Sequence, residues 1–257
     1  MSRNFELMQQ AAATTTNSTV GSFAELLTVD PKTRPGKKRA LAVKANLGID
    51  HVAREEALRL VQKVFRTKGQ ERRTVVFSAI SSGSGCSWIC ARTAEILARS
   101  ISGSVCLVDA NFRTPSLPAV LGTTSDHGLS DALRRERPVR EFVNHLDPSN
   151  LWLLSCGSVP EASVGLLVSE RMKVLVNELR QEFDYILIDA PPIGQYSDTF
   201  GIGQLADGLV MVIEANVTRR EVAARAADCL REMGVNILGA VLNKQTYPIP
   251  GSIYQRL

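Results

Sequence analysis

Three short segments of the sequence hold residues whose types and spacing suit phosphate chemistry. The first is Phe77-Ser-Ala-Ile-Ser-Ser-Gly83-Ser84-Gly85-Cys86-Ser87-Trp88, which follows an apolar run and opens a stretch with helical patterning. Glycines let a backbone curl around phosphates, successive N–H groups can point inward, and the amino terminus of a helix adds its positive dipole end. The G-K-[ST] ending that makes such a loop specific is broken, because Cys86 stands at the lysine position while Ser87 keeps the hydroxyl suited to Mg2+. On this segment alone a plain Gly/Ser turn between strand and helix reads equally well. The second segment, Cys106-Leu-Val-Asp109-Ala-Asn111-Phe-Arg113-Thr-Pro115, is an apolar run ending in an acid that could hold a magnesium-bound water or take a proton from an attacking hydroxyl. The alternative is an aspartate that caps the following turn. The third, Phe183-Asp-Tyr-Ile-Leu-Ile-Asp189-Ala-Pro191-Pro192, again ends an apolar run in aspartate, the pattern of a Walker B acid facing Mg2+.

These segments need a scaffold that brings the ends of three strands together. Apolar, β-rich runs occur at 74–79, 105–110, 151–155, 185–189, 208–215 and 236–243, and helix-compatible stretches at 87–101, 163–181 and 218–233 lie between them. Strands without polar alternation, separated by helices, predict a doubly wound, mainly parallel sheet covered on both faces, a P-loop NTPase-like α/β fold. Such sheets bind ligands beyond the carboxyl ends of their strands, where Gly83–Ser87, Asp109 and Asp189 all fall. Three chemically apt endings in that order are hard to explain as separate turns.

Upstream, residues 1–50 carry the Ala/Thr tract 11–16 and the Pro/Lys/Arg stretch 31–39, with little apolar surface to offset ordering, which predicts a flexible amino-terminal arm. Ala57, Val61, Val64 and Phe65 recur at helical spacing and predict a leading helix. The domain expectation is an arm at 1–50, a P-loop domain with its leading helix at 51–244, and a tail at 245–257. No run of 18 apolar residues and no secretory pattern is present, so a cytoplasmic protein is expected. Five cysteines without a C-x-x-C pair suggest mostly buried thiols rather than disulfides or a zinc site. A net charge of +4 is too mild to imply nucleic acid, and Arg134, Arg135, Arg137 and Arg140 read as a solvated helix face.

Together these residues resemble the cytoplasmic kinase domain of the bacterial tyrosine kinases that regulate capsule and exopolysaccharide synthesis. The resemblance runs from about Glu55 to the end and rests on the Walker A loop, the D-x-[DN]-x-R-x-P-S run from Asp109 to Ser116, Gly128-Leu-Ser-Asp-Ala-Leu133, the I-D-A-P-P run through Asp189, Asp198, and Val241-Leu-Asn243-Lys244. It implies a nucleotide site with ATP and Mg2+. The nucleotide would lie on Gly83, Ser84, Gly85, Cys86, Ser87, Trp88 and Asn243, the metal on Ser87, Asp109 and Asp189, and Asp109 would be the catalytic acid/base. It also implies Tyr247 and Tyr254 as phosphoacceptors, a membrane polysaccharide co-polymerase or chain-length protein as partner, and homo-oligomers. In the family's E-x-x-R-x-x-R helix motif, Glu56 and Arg59 are kept and Gln62 replaces the last arginine. Partition and division-site ATPases share the wider fold, but Ser81 stands where their signature lysine would be.

The departures matter for mechanism. Replacing the loop lysine by Cys86 removes a charge-assisted contact worth roughly 1.5–3 kcal/mol in binding. At a transition state, loss of a comparable donor costs about 2.7–4 kcal/mol. A thiol is neutral or negative and cannot substitute. Asn111 supplies a neutral amide where a second aspartate is usual, and Trp88 replaces a small hydroxyl residue. The expectation is a kinase-like protein that binds Mg·ATP weakly with reduced or absent phosphoryl transfer. The alternatives are an active tyrosine autokinase and a partition-type ATPase.

Overall fold

A computed structural model describes residues 51–66, 72–124, 126–135, 137–146, 150–158 and 163–245. The proposed arm (1–50) and the tail tyrosines Tyr247 and Tyr254 lie outside the described residues. A leading helix α1 (His51–Phe65) is followed by β1 (Thr74–Ala79), α2 (Cys86–Ser100) and β2 (Val105–Asp109). Short helices α3 (Leu117–Leu121) and α4 (Leu129–Arg134), a 3-10 turn (Val139–Phe142), and strands β3 (Asn144–Leu146) and β4 (Leu151–Leu154) come next. After a second 3-10 segment (Ser163–Val168) come α5 (Glu170–Glu182), β5 (Tyr185–Asp189), α6 (Asp198–Gln204), β6 (Gly208–Glu214), α7 (Arg220–Glu232) and β7 (Ile237–Asn243).

The seven strands form one sheet in the order β3-β4-β2-β5-β1-β6-β7, parallel except for the β3–β4 pair. Every residue of β1 and β2 is buried, as expected for strands covered on both faces. Phe77, Leu107, Leu153 and Leu187 from four strands pack with Cys90, Ala94 and Leu97 of α2 and with Val61, Val64 and Phe65 of α1. The apolar face predicted for the leading helix is thus its core face.

Two expectations are corrected. The helix expected over 163–181 is broken at Ser169. The Ser169 hydroxyl donates to Leu166 O (2.7 Å) and accepts from the Met172 N–H (3.3 Å), which ends the 3-10 segment and caps α5. The four arginines do not share a helix face. Arg134 and Arg135 reach back to Asp131, Arg137 pairs with Glu141, and Arg140 stacks on Trp152 at 4.0 Å and on Phe183 at 5.2 Å. The expectation of mostly buried, unpaired thiols holds: all five cysteines are free, Cys90, Cys106 and Cys156 are buried, and Cys86 and Cys229 are half-buried. No helix among the described residues is long and apolar enough to cross a membrane.

Candidate functional site

The sheet order places β2, β5 and β1 side by side, so the three chemically suited strand ends meet at one edge. Parallel pairing sets Asp109 of β2 directly opposite Asp189 of β5, and Asp189 opposite Phe77 of β1. The chain then leaves β1 through the loop 80–85. Gly83 (φ +84°) and Gly85 (φ +85°) both take the left-handed conformation that side chains resist. A Cβ on Gly85 would also collide with the Asn243 amide. The Ser84 hydroxyl closes the loop on itself through Ser81 O (2.9 Å), and α2 begins at Cys86. The predicted phosphate loop is therefore formed as strand, glycine turn and helix amino terminus.

A cavity of about 300 Å3 lies against this loop, bounded by residues 81–88, by Asn111, Thr114 and Ser116 after β2, and by Ala190 and Pro192 after β5. The loop after β5 is tied in from several directions. Ser78 and Thr199 both donate to Pro191 O at 2.6 Å, and the Ser82 hydroxyl bonds Gln195 at 2.8 Å. Arg113, after β2, lies over the Tyr196 ring at 4.6 Å and pairs with buried Asp198 at 3.5 Å. None of the contacts made by Gln195 or Tyr196 could be inferred from residue spacing. They depend on how far the double proline carries the chain.

The two strand-ending aspartates differ in their surroundings. Asp109 is held by backbone donors, with Oδ1 accepting from Asn111 N (3.2 Å) and Oδ2 from Ser116 N (3.3 Å) and Leu117 N (3.2 Å), which leaves Oδ1 able to accept once more. Burial raises its pKa to about 6 against the lowering effect of these bonds. The capping alternative considered from the sequence is therefore realised, and Asp109 anchors the loop that leads into α3. Asp189 is fully buried, and neither carboxylate oxygen has a hydrogen-bond partner of ordinary geometry. Burial first, and the Asp109 charge second, push it up to about 7. The Ser87 hydroxyl and Cys86 thiol lie close enough to moderate that rise. A buried carboxylate with two orphaned oxygens beside a serine hydroxyl is a donor set that suits a hard divalent cation. The site thus fits Mg2+ held through Asp189 and Ser87.

The altered loop residues are also accounted for locally. Burial, and then the Asp189 carboxyl, hold the Cys86 thiol well above its ordinary value, so it stays neutral and supplies no positive charge. Asn111 is engaged with its own loop: its Nδ2 donates to Thr114 Oγ1 (3.1 Å) and its Oδ1 accepts from Thr114 N (3.2 Å). The amide thus shapes the loop after β2. Trp88 is partly exposed at the rim of the cavity, with the Arg92 guanidinium 5.5 Å from its ring centre. Asn243 and Lys244 meet the loop from the other side, with Asn243 Nδ2 on Ser84 O (2.8 Å) and Lys244 Nζ on Gly83 O (2.7 Å). Of the expected site residues, then, Gly83 to Trp88, Asp109, Asp189 and Asn243 are all brought to one strand edge. On helix α1, Glu56 and Arg59 form an exposed ion pair at 2.6 Å.

A mainly parallel sheet with a glycine loop after the inner strand β1 and an unpaired acid at the end of the neighbouring central strand β5 defines a P-loop NTPase. The chain belongs to the ParA family, whose model, described as NUBPL iron-transfer P-loop NTPase, matches residues 71–254. Within that class its relatives include bacterial tyrosine-protein kinases. It is 29% identical over 179 residues to tyrosine-protein kinase YwqD of Bacillus subtilis, covering 70% of this chain and 75% of YwqD. Among solved structures, the VpsO kinase domain shares 26% identity at a TM-score of 0.70, covering 76% of this chain and 96% of that domain. The kinase domain of the Escherichia coli tyrosine kinase ETK aligns at a TM-score of 0.71 and 22% identity, covering 86% of this chain and 89% of that one, a likeness of fold.

Proposed function

We propose that this protein is a tyrosine-kinase-like regulator of exopolysaccharide or capsule assembly that binds Mg·ATP weakly and transfers phosphoryl groups slowly or not at all. The observation that carries the reading is the pairing of a formed phosphate loop and an orphaned Asp189 with a neutral thiol at the lysine position. The loop amides and the α2 amino terminus would hold the phosphates, and Ser87 and Asp189 the metal, which when bound neutralises phosphate charge. Asp109, with its pKa near 6, would accept the hydroxyl proton in any residual transfer. Without an ammonium group in the loop, the negative charge that develops on the phosphoryl oxygens lacks its main protein-borne partner. Binding therefore outlasts catalysis.

The kinase resemblance supports a partner of the membrane chain-length or co-polymerase type at the inner face of the membrane, homo-oligomers, and Tyr247 and Tyr254 as acceptors of any transfer. Calorimetry of Mg·ATP binding to the wild type, Cys86→Lys and Asp109→Ala tests the reading. Weak wild-type binding that tightens in Cys86→Lys supports it. Binding as tight in the wild type as in Cys86→Lys, with phosphotyrosine forming on the tail, would establish an active autokinase instead. Hydrolysis with ATP-dependent dimers and no phosphotyrosine would point to a partition-type ATPase.

A further inference from the structure

We infer that Asn243 and Lys244 form a clamp that presets the phosphate loop from outside, making them positioning residues for the anion site. They are consecutive residues at the carboxyl end of β7, and they donate to consecutive carbonyls of the loop. Lys244 Nζ bonds Gly83 O at 2.7 Å and Asn243 Nδ2 bonds Ser84 O at 2.8 Å. In a trans peptide the N–H points opposite to the C=O. Drawing the Gly83 and Ser84 carbonyls toward β7 therefore turns the N–H groups of Ser84 and Gly85 the other way. The sheet order makes that direction the useful one. β7 lies beyond β6 on one side of β1, while the cavity is bounded by Ala190 and Pro192 after β5 and by Asn111 after β2, on the other side.

The clamp is itself held in place. Lys244 carries a second bond, to Glu214 Oε1 at 3.0 Å at the end of β6, and β6 pairs with β7 so that Glu214 lies opposite Asn243. Lys244 has φ +56°, a left-handed backbone that a lysine adopts only when its surroundings impose it. Gly85 is the complementary feature, since any Cβ there would strike the Asn243 amide. Lys244 does not line the cavity, so its ammonium does not replace the missing loop lysine at the phosphates. It acts through the backbone instead. In a loop whose own cation is gone, the amide dipoles become the principal anion ligands, and their orientation is set by this pair.

The test has two arms. The first needs no ligand: amide hydrogen exchange of residues 83–87 in the wild type, Lys244→Met, Asn243→Ala and Lys244→Arg. We expect Lys244→Met and Asn243→Ala to speed exchange in the loop by roughly tenfold, the loss of one charge-assisted or amide hydrogen bond, with β2 and β5 unchanged and Lys244→Arg close to the wild type. Unchanged loop exchange in both, or faster exchange spread over β6 and β7 alike, overturns the proposal. The second arm rests on the nucleotide reading above and compares ADP with inorganic tripolyphosphate. Equal weakening of both by Lys244→Met supports loop positioning, and weakening of ADP alone would assign Lys244 to the base and refute it. A wild type that binds neither overturns the nucleotide reading, while the exchange arm still decides the clamp.

Discussion

The orphaned carboxylate gives the sharpest quantitative prediction. Asp189 is pushed up to about 7 in the native protein, against an ordinary 3.8 that applies once the chain unfolds. Between those values the native state holds a proton that the unfolded state has released. Stability is therefore full below the unfolded pKa and is lost as pH rises through 7. Asp189→Asn removes this titration. Linkage for a shift of this size makes the advantage of Asp189→Asn over the wild type grow by about 3 kcal/mol between pH 5 and pH 8. Asp109, raised to about 6, contributes slope of the same sign to both proteins and largely cancels in the difference. The assay is urea unfolding of both proteins at several pH values without divalent cations, comparing the slopes rather than the absolute offset that the amide introduces. Millimolar Mg2+ should then restore the wild type at pH 8 and leave Asp189→Asn unmoved, because the cation supplies the partner the carboxylate lacks. A pH-independent difference, or one that shrinks as pH rises, would refute the assignment of Asp189 as an uncompensated buried charge.

Other outcomes follow from the same geometry. Cys86→Lys should tighten Mg·ATP by roughly 1.5–3 kcal/mol by titration calorimetry, the worth of a charge-assisted contact. Gly85→Ala should destabilise the fold by at least about 1–2 kcal/mol in thermal unfolding, since it forces a side chain into a left-handed site against Asn243. Thr199→Val, which strips a buried donor from Pro191 O while Ser78 still bonds it, should cost about 1 kcal/mol in urea unfolding. Arg140→Ala should cost about 1–2 kcal/mol through lost stacking on Trp152 and Phe183, with little dependence on salt.

The strands that carry chemistry were legible because burial on both faces leaves an unbroken apolar run, and Asp109 and Asp189 stand out as the first charges after such runs. The glycine loop was legible because left-handed turns leave a compositional trace. What was not legible depends on distant pairing. β3 is only Asn144–Leu146 and is mostly exposed, so it has no apolar signature and exists through its pairing with β4. The different fates of the two aspartates were equally hidden. Both end a strand, but only the structure shows that three backbone N–H groups converge on Asp109 and none on Asp189. The single serine that splits the expected long helix at Ser169 could have been read as a cap.

The pairing of Asp109 with Asp189 across neighbouring strands has a kinetic consequence. Strands β2 and β5 are separated by about 80 residues of chain, as the Ser104–Asp184 contact at their entrance shows, and the cavity also needs the end of β1. A one-residue slip of either strand would turn its aspartate to the opposite face of the sheet. No local fragment can assemble the site, so it forms only when the long-range ladder is complete, late in folding. A ligand of this edge would then grip the finished molecule alone. It would lengthen the lifetime of the native state by slowing unfolding and leave the rate of folding unaltered.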